Sequence, residues 1–86
     1  MNFREVFLKA VDEARADGEI GPFQAMRARL IAGNPRRLAD VQKKCCEEAA
    51  YQGYAVPAAG DGAFDWTAFL AFLKELLPII LALFKP

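Results

Sequence analysis

Apolar residues recur at helical spacing along most of the chain, in four blocks punctuated by glycine and proline. In the first block Phe3, Val6, Phe7, Ala10, Val11 and Ala14 follow the i, i+3, i+4 rhythm of one helix face. Asn2 stands at the N-cap position with Glu5 three residues on, a capping-box pattern, so the first helix is expected from Phe3 to Ala16, stopped by Asp17-Gly18. Gly21-Pro22 supplies the next cap and first-turn proline, and Phe23, Met26, Leu30 and Ile31 form the expected buried stripe of a second helix ending at Gly33. Asn34-Pro35 repeats the start signal for a third helix, with Leu38, Val41, Cys45 and Ala49 as its inner line and Gly53 as its stop.

The following "YAVPAAGDGA" has the small and turn-forming residues of a flexible connector. Beyond it, Asp65 can cap a last helix while Phe64 and Phe69 occupy the N′ and N4 positions of a hydrophobic staple. Strand-like alternation and internal repeats are missing from the sequence. The expectation is an all-α chain with a three-helix body over 1–53, a connector over 54–63 and a long apolar association helix over 64–86. Three capped helices with complementary stripes are expected to close a minimal core without the tail.

The tail helix raises the main functional question. Trp66, Phe69, Leu70, Phe72, Leu73, Leu76, Leu77, Ile79, Ile80, Leu81, Leu83 and Phe84 leave only a narrow stripe of Thr67, Ala71, Lys74, Pro78, Ala82 and Lys85 for water. A helix apolar over most of its circumference must be covered on most sides. Its length also matches a bilayer core, which about 20 apolar residues can cross. Lys74 and Glu75 lie at mid-span, however, and each costs about 2.5 to 3.5 kcal/mol at the centre of a membrane, which roughly cancels the gain from the apolar side chains. These twelve residues are therefore read first as an interface for self-association or a partner protein, and second as a membrane-inserting surface.

Composition sharpens that picture: 55% of the residues are hydrophobic, slightly above the usual range, with the excess gathered after residue 63. The formal charge is zero, but Arg27, Arg29, Arg36, Arg37, Lys43 and Lys44 face only Asp40 between residues 26 and 46. The second helix, the turn and the basic third helix have the outline of a helix-turn-helix, and Arg36 and Arg37 sit in a first turn where the helix dipole disfavours cations unless an anion lies nearby. Arg36, Arg37, Lys43 and Lys44 are thus the candidate anion-binding residues, for a phosphate, an anionic lipid or nucleic acid. Nucleic acid is the weakest of these, because Gln42 is the only amide side chain on that helix.

Other chemistry finds little support. An EF-hand laid over residues 13–24 would place Gly18 and Ile20 correctly but offer Glu13, Arg15, Asp17 and Gln24 as ligands, too little negative charge for calcium. With no His and two adjacent cysteines the chain lacks a zinc ligand set. Lacking Ser and His as well, and with Thr67 its single β-hydroxyl, it shows no catalytic constellation, and no enzyme activity, cofactor, metal or small-molecule substrate is expected. Cys45 and Cys46 have Cα atoms about 3.8 Å apart, too close for a normal disulfide, so both are read as reduced thiols of a cytoplasmic protein that its apolar helix could bring to a membrane. Glu5, Asp12 and Glu13 interrupt any secretory signal at the start. The expectation is a non-enzymatic helical assembly protein, with a membrane-anchored or membrane-perturbing protein as the alternative and an oligomeric nucleic-acid-binding module as the second.

Overall fold

The computed structural model describes residues 2–53 and 66–83. It is all-α: α1 (Phe3–Ala16), α2 (Pro22–Ala32), α3 (Pro35–Tyr51) and α4 (Trp66–Leu83), with no strand among the described residues. The connector over 54–63, the cap and staple assigned to Asp65 and Phe64, and the interface residue Phe84 lie outside the described residues.

Local chemistry explains the helix ends. Asn2 Oδ1 accepts from the Glu5 backbone N–H at 2.9 Å, and Asn34 Oδ1 accepts from Arg36 N–H at 3.1 Å and Arg37 N–H at 3.3 Å. Both satisfy donors that an α-helix leaves open at its start. Gly21 cannot do so, having no side chain; instead Gln24 reaches back and its Oε1 accepts from the Gly21 N–H at 2.8 Å. After α1, Gly18 adopts φ 76°, and the bonds Glu19 N–H to Ala14 O and Gly18 N–H to Arg15 O complete a Schellman turn. That turn carries Ile20 back into the core, where it is buried.

One core draws on all four helices. From α1 come Phe3, Val6, Phe7, Ala10, Val11 and Ala14, from α3 Val41, Cys45 and Ala49, and from α4 Phe69, Phe72, Leu73, Leu76, Leu77, Ile80 and Leu81. Phe69 meets Phe3 edge-on, with ring centroids 6.4 Å apart, and Trp66 meets Phe69 at 6.0 Å and 89°. Such edge-to-face pairs are worth about 0.5 to 1.5 kcal/mol beyond the area they bury. The sequence sets α4 apart from a three-helix body, whereas in the folded chain its broad face belongs to the same core as α1.

α2 overturns one expectation. Of the stripe Phe23, Met26, Leu30 and Ile31, only Ile31 is buried; α2 turns Ala25, Ala28 and Ala32 inward and leaves Phe23 76%, Met26 51% and Leu30 58% exposed. Two apolar stripes share the same i, i+3, i+7 spacing on this helix, and the small one wins because alanine lets α2 lie close against its neighbours. Interaxial distances follow the side chains at the contact.

Two arginines tie helix ends across the fold. Arg4 Nε donates to the Ala32 carbonyl at 3.2 Å, and the Arg27 guanidinium donates to the Leu81 carbonyl. Each therefore supplies a cation and a donor to the open C-terminal carbonyls of a neighbouring helix. Pro78, inside α4, lies on its exposed side and leaves the Lys74 carbonyl without its helical donor.

Since α4 completes the core, the chain without residues 64–86 should lose cooperative thermal unfolding by far-UV circular dichroism. Leu77→Ala, in a fully buried position, should cost about 2 to 5 kcal/mol in urea denaturation.

Candidate functional site

The twelve apolar residues assigned to the tail interface divide sharply. Phe69, Phe72, Leu73, Leu76, Leu77, Ile80 and Leu81 are buried by the chain's own helices, Trp66 and Leu70 are half-buried against the core, and Ile79 and Leu83 are exposed. The narrow stripe does meet solvent: Thr67, Ala71, Pro78 and Ala82 are exposed and Lys74 is half-buried. By length and composition α4 is nevertheless one helix apolar enough to cross a membrane. In this fold seven of the side chains that would touch lipid are already buried against the chain's own helices.

Lys74 shows how α4 is held. Its Nζ lies 2.9 Å from Asp17 Oδ2 and 3.7 Å from Glu13 Oε1, joining the middle of α4 to the end of α1. The hydrogen bond to Asp17 raises the Lys74 pKa above its ordinary 10.5; partial burial pulls it down, and the charges of Asp17, Glu13 and Glu19 push it further up. Around this lysine runs a groove of about 350 Å³ lined by Glu13, Glu19, Thr67, Leu70, Ala71, Lys74 and Glu75. A second groove of about 190 Å³ lies between α3 and α4, with Leu76, Ile79, Ile80 and Leu83 on one side and Lys44, Glu48 and Gln52 on the other.

The candidate anion-binding residues do not converge. Arg36 and Lys43 share the outer face of α3, but at helical spacing that face reads Arg36, Asp40, Lys43, Glu47, all exposed and alternating in sign. Arg37 and Lys44 lie on its flank, where Lys44 sits 3.7 Å from Glu48. Asn34 already takes the Arg36 and Arg37 amides, two of the donors with which a helix start would hold a phosphate. The proximity of like charges in the sequence therefore becomes a mixed face in three dimensions.

Neither thiol is poised for chemistry. Burial, and secondarily the neighbouring Cys46, push Cys45 up to about 12, and burial raises Cys46. Both are free and protonated at neutral pH, so neither is a ready nucleophile. No metal-binding group of His, Cys, Asp or Glu forms among the described residues.

What remains outward and apolar is the α2 face of Phe23, Met26 and Leu30, together with Ile79, Leu83 and the terminal Tyr51 of α3. Phe23, Met26 and Leu30 lie on successive turns of one helix, the spacing by which an apolar helix face anchors in a partner. The sequence places these three side chains in the core, and the signal that could have turned them outward is the alanine stripe on the opposite side of α2. No family model, curated protein or solved structure matches the chain.

The folded-state pKa of Lys74 lies above its ordinary value, so the stability it contributes is complete below pH 10.5 and fades as pH rises through the folded value. Urea midpoints should therefore show wild type more stable than Lys74→Met at neutral pH, with the gap closing above pH 10.5.

Proposed function

We propose that this chain is a non-enzymatic helical interaction protein whose four-helix core presents the outer face of α2 to a binding partner. The observation that carries this reading is the row of Phe23, Met26 and Leu30, each more than half exposed on one side of one helix. Scattered surface leucines are ordinary, but a row of large apolar side chains on successive turns marks an association surface. Docking through the broad face of α4, the first choice from sequence, would require the core to open, because seven of its side chains are already covered. The interface is thereby moved from α4 to α2, while assembly remains the mode of action. The free thiols suit a reducing compartment such as the cytoplasm.

Membrane insertion of α4 is the second reading, supported by its length and apolar composition. It requires α4 to leave α1 and Lys74 to give up Asp17 and Glu13.

Phe23→Ser combined with Leu30→Ser tests the first reading, since both side chains are exposed and their loss should change stability by no more than about 0.5 kcal/mol. Sedimentation velocity in detergent-free buffer and flotation on vesicles of equal parts phosphatidylcholine and phosphatidylglycerol should show wild type associating and the double variant monomeric and unbound. Identical behaviour of the two proteins in both measurements would sink the α2 reading.

A further inference from the structure

The outer face of α3 is complementary to itself in charge, and we infer that it pairs with the same face of a second copy of this chain, antiparallel and about a twofold axis. Along that face run Arg36, Asp40, Lys43 and Glu47, all exposed and alternating in sign. None of the four forms an ion pair among the described residues. Arg36 with Asp40 and Lys43 with Glu47 have the i, i+4 spacing at which helical pairs can close, and on the flank Lys44 with Glu48 does close, at 3.7 Å. The outer four charges are therefore unspent.

Their order decides what can meet them. Arg36 and Glu47 stand equally far from the midpoint between residues 41 and 42, and so do Asp40 and Lys43. When two such helices lie antiparallel across a twofold axis, Arg36 of each copy comes opposite Glu47 of the other and Asp40 opposite Lys43, so every charge of both stripes is matched. A parallel arrangement in register sets like against like.

Shape permits the same pairing. α3 contains no glycine and no proline after its first residue, and the face carries the small residues Ala39 and Ala50, both exposed, beside the charges. Two such helices can approach closely, since interaxial distance follows the side chains at the contact. The α2 row offers no comparable match, because Arg29 is engaged by Asp12 and Arg27 by the Leu81 carbonyl. An anionic bilayer would meet Asp40 and Glu47 together with Arg36 and Lys43 and gain nothing from their alternation. The stripe shares no residue with the α2 row, so this contact stands independently of the α2 reading, and a dimer carries two copies of that row.

A contact between exposed charges is weak and salt-sensitive, so it is sought by sedimentation equilibrium at about 10 mM salt and up to about 1 mM protein. The parent chain for this experiment carries Phe23→Ser and Leu30→Ser, which leaves only the α3 stripe to associate. It should dimerise at about 10 mM salt and be monomeric at about 1 M, where the Debye length falls to about 3 Å. On that parent, Asp40→Lys with Glu47→Lys makes the stripe wholly basic, and Arg36→Glu with Lys43→Glu makes it wholly acidic. Each of these variants alone should dimerise at least about tenfold more weakly, and their equimolar mixture should regain a one-to-one dimer. All four substitutions together restore the alternation with opposite sign and leave the net charge at zero, so that chain should dimerise like the parent, which attraction between oppositely charged proteins cannot explain. If a two-site variant loses its helical circular dichroism, Asp40→Asn with Glu47→Gln takes its place and should also weaken the dimer. A parent chain monomeric at about 10 mM salt overturns the pairing. So does a dimer that the two-site substitutions leave unchanged, a mixture that stays monomeric, or a folded four-site variant that does not dimerise.

Discussion

Phe69 stands where α4 meets α1, nearly sealed from solvent, with Phe3 on one side and Trp66 and Phe72 on its own helix around it. The rest of the fold depends on this contact between α1 and α4. A small domain buries a limited share of its surface and can leave few large apolar groups idle. Here most of α4's bulk is spent inside the chain, and the short helix α2 is left to carry the exposed apolar row.

Polar links reinforce the same geometry at the margins of the core. Lys74 fastens the centre of α4 to the end of α1, Arg27 closes the C-terminal carbonyls of α4, and Arg4 does the same for α2. Of these only Lys74 makes ion pairs, and exposed pairs contribute little individually. Their effect is directional: they define which side of α4 faces α1 and which side faces solvent. In the same way Arg27, part of the basic segment in sequence, acts in the structure as a donor to a helix end, as does Arg4.

The helices were largely legible because their punctuation is local. Asn2, Gly18, Pro22, Asn34, Pro35 and Gly53 act on their immediate neighbours, and the boundaries of α1 follow from them without reference to the rest of the chain. Which face a helix buries is a tertiary question. Phe23, Met26 and Leu30 outrank alanine on any scale of hydrophobicity, yet the distance to the next helix favoured Ala25, Ala28 and Ala32. The width of α4's apolar face could likewise be read from its residues, but the identity of its cover could not. That depended on the Schellman turn at Gly18 and the orientation of α1, set by contacts between residues more than fifty positions apart, such as Asp17 with Lys74. The mixed sign of the third helix, by contrast, follows from helical spacing alone, which puts Asp40 and Glu47 on the same face as Arg36 and Lys43.

The alanine face of α2 also sets the direction in which this protein can tolerate change. Ala28 is fully sealed and Ala25 nearly so, and a side chain enlarged there has to displace a neighbouring helix, a strain of about 1 to 3 kcal/mol in a well-filled interior. Two residues away on the same helix, Met26 and Leu30 can shrink or become polar with almost no effect on folding. A single turn of α2 therefore separates positions limited by volume from positions free to vary in chemistry, so that the binding character of the surface can be rewritten without rebuilding the molecule beneath it.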